Sequence, residues 1–278
     1  MNSVRNLKFA SLVLALSVLA APAVSYGGVF VSVSIAPPVL PVYVQPVCPG
    51  PDYMWTPGYW AYGPNGYFWV PGTWVIAPAP GLLWTPGYWG FGGGVYAWHA
   101  GYWGPHVGFY GGVNYGFGYA GVGFVGGGWV GGHFRYNTAV MNVNTTVVHN
   151  TYVDRTVVHE TVVNHASFNG PGGINARPSA GEIAAGREQH FAATSMQASH
   201  ERSAGMDRSN FASVNHGRPA TMAMSHPGGE PNRGGFNHPE PNNRPSENRQ
   251  PQAPHAQTES HQAPNHQGGG GEHHEEHR

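Results

Sequence analysis

The 278-residue chain has one cysteine, few charges and no long apolar run after its first two dozen residues. Each shortage excludes something. A single thiol, Cys48, rules out an internal disulfide framework. It leaves a free buried thiol or a pairing with another chain. Charged residues make up 10% of the chain. Between Tyr26 and His165 they are Asp52, Arg135, Asp154, Arg155 and Glu160 alone. No basic patch exists there, so nucleic acid is not an expected partner. Paired carboxylates, a nucleophile triad and a phosphate loop with its Lys-Ser/Thr are also lacking, so the chain is expected not to be an enzyme. No cofactor is expected either.

The one apolar run of note is at the start. Arg5 and Lys8 precede Phe9–Ala21, which is too short to span a bilayer as a mature helix. Residues 1–25 are expected to be a signal peptide, cleaved after Ala23-Val24-Ser25 or, alternatively, after Ala21-Pro22-Ala23. The mature protein is then exported, to the periplasm or the outer cell surface, with no transmembrane span after cleavage.

What the chain has in abundance is glycine, proline and tryptophan. Gly 42 and Pro 25 together are about a quarter of the residues. Eight of the nine tryptophans lie in four W-x-x-G-x-W phrases: Trp55–Trp60, Trp69–Trp74, Trp84–Trp89 and Trp98–Trp103. The phrases start 14, 15 and 14 residues apart. Gly, usually after Pro, stands at each centre, which is turn chemistry. With Pro57-Gly58 as a two-residue turn, Trp55 faces Trp60 across a hairpin. Alternation then puts Trp55, Trp60, Trp69, Trp74, Trp84, Trp89, Trp98 and Trp103 on one face. L-Pro-Gly is a poor two-residue hairpin turn, so a wider loop or an irregular tryptophan stack competes with this pairing.

The fold expected is mainly β: a small antiparallel meander of aromatic repeats plus Gly-rich strands, followed by a long disordered C-terminal tail carrying one helix. Residues 26–52 form a Val/Pro-rich lead-in, with a strand at Val29–Ile35 and a polyproline-like run after it. Residues 53–103 hold the repeats. Residues 104–165 are first Gly/aromatic-rich and then Thr/Val-rich, with strands expected at Thr146–His149, Thr156–His159 and Thr161–Asn164. From 166 to 278 the chain is polar and rich in His, Pro and Gly, a composition that does not offset chain entropy. Ser179 with Glu182 makes a capping box for a helix over 180–200.

Two sets of residues could carry chemistry. The eight repeat tryptophans are either the protein's own core or an exposed platform for sugar rings. His273, His274 and His277, beside Glu272, Glu275 and Glu276, could hold Zn, Ni or Cu transiently, or remain a solvated tail.

The phrases C-P-G-P-D-Y-M-W-T-P-G-Y-W (Cys48–Trp60), Y-F-W-V-P-G-T-W (Tyr67–Trp74), L-L-W-T-P-G-Y-W (Leu82–Trp89) and V-Y-A-W-H-A-G-Y-W-G-P-H-V-G-F-Y-G-G (Val95–Gly112) resemble the bacterial exported proteins with YXWGXW/WXXGXW repeats. The resemblance covers about 60 residues directly. Ala100 departs from it by standing where the other phrases have proline. It implies a secreted or envelope-associated protein without an established activity, and no catalytic residues to carry over. The function expected is an exported, non-enzymatic structural or interaction protein of the cell envelope. The alternatives are an aromatic-platform binder of carbohydrate or peptidoglycan and a His-rich tail that binds a transition metal. Envelope polysaccharide or another envelope protein are the partners expected.

Overall fold

The computed structural model describes residues 31–158, 165–228 and the backbone of 231–233. These residues are mainly strands, arranged in small, mostly antiparallel sheets. All lie in the compact unit that ends at Gly235. The expected signal peptide at 1–25, Thr161–Asn164 and the histidines at 273, 274 and 277 lie outside the described residues.

The repeats form two long hairpins rather than four short ones. In the first, Tyr53–Thr56 pairs with Gly72–Ile76, and Tyr59–Gly63 pairs with Gly66–Val70. Both pairings share one register about a turn at Pro64-Asn65. In the second, Leu83–Thr85 pairs with Tyr102–Gly104, and Tyr88–Gly92 pairs with Val95–His99 about Gly93-Gly94. The Pro-Gly centres are therefore not the turns, which corrects the pairing expected from them. Trp55 faces Trp74, not Trp60; Trp60 faces Trp69, Trp84 faces Trp103 and Trp89 faces Trp98.

Backbone chemistry explains this choice. Primed two-residue turns match strand twist and need positive φ at their central residues, whereas L-proline holds φ near about −65°. Gly93 and Gly94 have φ of 62° and 86°, as a type I′ turn requires. The first hairpin turns differently, through Pro64-Asn65 with neither at positive φ, and Gly66 after them takes the positive φ of 97°; the Pro57-Gly58 centre has Tyr59 at that place. Proline also lacks an N–H, so the ladder breaks at mid-hairpin, where Pro57 and Gly58 lie opposite Gly72 and Pro71.

The same crossing explains all three fixed positions of the phrase. Tryptophans paired across the strands have ring centroids 5.3 Å apart in all four pairs. The first indole of each phrase then lies over the glycine of the opposite phrase. A Cβ built on Gly72 would lie 2.5 Å from Trp55 Cζ2, and one on Gly101 2.5 Å from Trp84 Cζ2. On Gly58 and Gly87 it would strike Trp69 and Trp98. Only glycine leaves room for the ring.

The lead-in and the glycine-rich segment complete the core. Residues 36–48 run extended along the first hairpin, with Leu40, Gln45 and Cys48 buried and Val39, Val42, Val44 and Val47 exposed. A polyproline-like chain bonds little within itself, so its carbonyls are free to accept from elsewhere. Trp60 Nε1 donates to Val39 O (3.0 Å) and Trp74 Nε1 to Pro46 O (2.9 Å). From the glycine-rich segment come Tyr110, Tyr115, Tyr119, Phe134 and Tyr136, all in the same buried cluster as the tryptophans. The Tyr119 hydroxyl bridges the two hairpins, donating to Trp84 O at 2.9 Å and approaching Trp55 O at 3.4 Å.

Two expectations fail for local reasons. Thr146–His149 and Thr156–Val158 are not strands; the strand here is Thr151–Tyr152. The Asn144 side chain accepts from Thr146 N (2.9 Å) and Oγ1 (2.7 Å), and Asp154 does the same for Thr156 (2.9 and 2.6 Å). These side-chain turns outweigh β-propensity.

The polar segment expected to be disordered is folded over 165–228. Its single helix is replaced by α1 (Ala180–Ala185), α2 (Ser195–Met206) and α3 (Ala212–Asn215). Ser179 and Glu182 do form a capping box, and Thr194 with Gln197 forms a second one at the start of α2. Between them the chain extends, and Phe191 exchanges both backbone hydrogen bonds with Trp103 (2.8 and 2.9 Å). Composition alone misjudges this segment because its few apolar groups do not need a core of their own. Phe211 and Ala204 pack on Phe68 and Val70, and Thr221–Met224 adds a parallel strand to the first hairpin.

Candidate functional site

The structure settles where the aromatic face goes. Trp55, Trp60, Trp69, Trp74, Trp84, Trp89 and Trp103 are buried, none more than 7% exposed. No exposed row of indoles remains. Trp89 Nε1 donates to Trp60 O (2.8 Å), Trp69 Nε1 to Met222 O (3.1 Å) and Trp103 Nε1 to Gln197 Oε1 (2.9 Å). Trp98 is the exception among the eight, being half-buried, and its ring stacks on Tyr59 with centroids 5.1 Å apart and planes 16° from parallel.

Trp98 belongs to a cleft where the proline-glycine centres of the two hairpins meet beneath α2. Counted to its open mouth, the cleft has a volume of about 660 Å³. Its walls are Pro57, Pro71 and Thr73 from the first hairpin, and Trp84, Pro86 and Trp98 from the second. Helix α2 supplies Gln197, His200 and Glu201. Prolines are at the walls for the reason that they break the ladder: without an N–H they leave a gap between paired halves.

The polar groups of the cleft divide into those already engaged and those left over. Thr56 Oγ1 donates to Thr73 O (2.9 Å), and Tyr115 donates its hydroxyl hydrogen to Gly87 O (2.6 Å). His200, buried, donates Nε2–H to Pro71 O at 2.8 Å. Burial holds its pKa below the usual imidazole value, outweighing the opposing Pro71 hydrogen bond and Glu201 charge. The ring is then neutral and Nδ1 carries a lone pair. Tyr59 donates to Glu201 Oε2 (2.9 Å); burial first, and the Glu201 carboxylate second, push its phenol well up. Gln197 Oε1 accepts from Trp103 Nε1 and from Thr194 N, which leaves its amide N–H groups unpaired. Thr73 Oγ1 is buried with no hydrogen-bond partner.

Sequence reasoning reached Trp84 and Trp98 but missed the α2 residues as site residues, because it put Gln197 and His200 on a helix over 180–200 within an otherwise disordered tail, with nothing to pack against. The second capping box, Thr194-x-x-Gln197, was the signal available. Among the described residues no group of three or more metal-ligand side chains occurs. None of the helices there is long and apolar enough to cross a membrane.

Residues 50–75 and 80–103 match the family model of the WXXGXW repeat. The chain carries two copies of this repeat. Each matched stretch holds two W-x-x-G-x-W phrases and coincides with one hairpin, so a WXXGXW copy is the hairpin and not the phrase. No curated protein and no solved structure matches the chain.

Proposed function

We propose that this chain is an exported, non-enzymatic structural or interaction protein of the bacterial cell envelope, with the WXXGXW hairpins as its scaffold. The observation that carries the reading is the use of the repeat's own chemistry for packing. Seven of the eight repeat indoles are buried, and four of their N–H groups bond to main-chain carbonyls from the lead-in, the repeats and the C-terminal segment. Such a core is costly to build and offers no reactive group. Outside it, Asp154 caps a turn, Asp52 holds Phe134 N (2.7 Å) and faces His133, and Glu188 pairs with His106 (2.8 Å). Sparse charge and a basic, then apolar, N-terminus support export. The test is fractionation of a bacterium making a C-terminally tagged chain, with the mass of the mature protein measured. Cleavage after Ser25 or Ala23 and recovery with the envelope are expected. A full-length mass in the cytoplasmic fraction would overturn the reading.

A further inference from the structure

The geometry points to the cleft beneath α2 as a binding site for a single sugar ring, presented by a neutral or weakly charged glycan. This goes beyond the scaffold reading, which stands whether or not the cleft has a ligand. It also differs from stacking along an exposed tryptophan row, since that row is buried.

Three features of the cleft select the ligand class. The first is a flat, half-exposed aromatic surface. Trp98 stacks with Tyr59, and both line the cleft while packing against the core. A pyranose presents a C–H face that lies against such a surface. The second is a buried polar atom that the protein leaves unsatisfied. Thr73 lines the cleft, is 2% exposed, and its Oγ1 has no partner. A buried hydroxyl without a hydrogen bond is costly, so the arrangement is completed by a group that enters from the cleft. The third is the balance of donors and acceptors. Gln197 offers amide N–H, while His200 Nδ1 and the second oxygen of Glu201 offer lone pairs. Thr73 Oγ1 can do either.

That balance separates the candidate ligands. An ammonium group would need acceptors only, and a carboxylate or phosphate donors only. Ring hydroxyls both donate and accept, and so match all four groups at once. Glu201 has no cation in salt-bridge range among the described residues, and it is exposed, so a negative charge remains at the mouth. This disfavours strongly anionic polysaccharides.

The test uses the full chain with three probes, maltotriose, cellotriose and tri-N-acetylchitotriose, titrated by calorimetry and by tryptophan emission. At least one should bind saturably, with a Kd of about 1 mM or tighter. Trp98→Ala should weaken that binding by about tenfold or more. Glu201→Gln keeps an acceptor for the Tyr59 hydroxyl and should weaken it only a few-fold. Thr73→Val, which keeps the side-chain shape, should also weaken it while leaving the fold intact by circular dichroism. Saturable binding that neither Trp98→Ala nor Thr73→Val alters would overturn the proposal. So would no binding of any probe by a chain whose urea transition shows it folded. Binding of butylammonium instead, abolished by Glu201→Gln, would replace it with a cation site. None of these outcomes bears on export, so this inference and the scaffold reading fail separately.

Discussion

The sharpest consequence of the crossing geometry concerns Gly72. An alanine there would put Cβ 2.5 Å from Trp55 Cζ2 and 3.0 Å from Gly58 N. Neither neighbour can yield easily, since Trp55 is fully buried between Trp74 and Phe117 and Gly58 N is backbone. Overpacking of this kind costs about 1–3 kcal/mol, and sometimes more. Two other glycines separate this steric effect from backbone effects. Gly92 has open space around it and no positive φ, so Gly92→Ala should be neutral or stabilise by about 0.4–1 kcal/mol. Gly66 also has open space, but its φ of 97° should make Gly66→Ala cost about 1–2 kcal/mol through strain alone. Urea denaturation of the three variants gives the comparison. A double variant goes further: Trp55→Phe shortens the ring, so it should cost less in the Gly72→Ala background than in the wild type. A coupling of about 0.5–3 kcal/mol is expected for residues in such contact. If Gly72→Ala is as stable as Gly92→Ala, or if the two changes simply add, the indole does not require the glycine and the explanation of the phrase is wrong.

Further outcomes follow from the same structure. Burial raises the pKa of Tyr43, Tyr67, Tyr110, Tyr115, Tyr119 and Tyr136. Their contribution to stability is therefore present below the unfolded value of about 10 and is lost as pH rises above it. Phenolate absorbance should show these tyrosines ionising together with unfolding, whereas smooth titration in the folded protein would contradict their burial. His200 has a lowered pKa, so its contribution is whole above about 6.5 and is lost as pH falls below that value. His200→Gln should flatten the acid limb of the urea midpoint against pH, and an unchanged limb would show that His200 does not contribute to it. Thr194→Ala removes the hydroxyl that accepts from Gln197 N (3.2 Å) and should cost about 1 kcal/mol. The loss should appear as faster hydrogen exchange in Ser195–Met206; uniform exchange across the chain would argue against it.

How much of this was legible beforehand depends on the range of the interaction concerned. The tryptophan repeat, the β architecture and the Ser179–Glu182 cap are local patterns, and all three are visible in the chain. The partner of Trp55 is not, because alternation puts Trp60 and Trp74 on the same face and both fit a 14-residue spacing. Turn chemistry decides between them: Pro64-Asn65 is followed by Gly66, which takes the positive φ of 97° that closes the turn, whereas Pro57-Gly58 is followed by Tyr59. The Thr-Val runs misled because Asn144 and Asp154 act through side chains two residues away, a competition that propensity does not weigh. The cleft was hidden for a different reason. Gln197, His200 and Glu201 are in a segment too polar to fold by itself, and their order depends on an aromatic core more than 90 residues earlier in the chain.

The reciprocal seating of indoles and glycines has a consequence for how such a chain can grow. Within one hairpin each phrase supplies the ring that fills the other's notch, so neither phrase is complete alone. Trp55 and Trp84 are 29 residues apart, and that step carries two phrases, one hairpin and one closed set of four indoles. A lineage that lengthened this scaffold by a single phrase would leave an uncovered glycine and an indole with nothing opposite. Lengthening by two adds a finished block. Even phrase numbers are thus the natural units of duplication and deletion, and the smallest excisable piece is the hairpin.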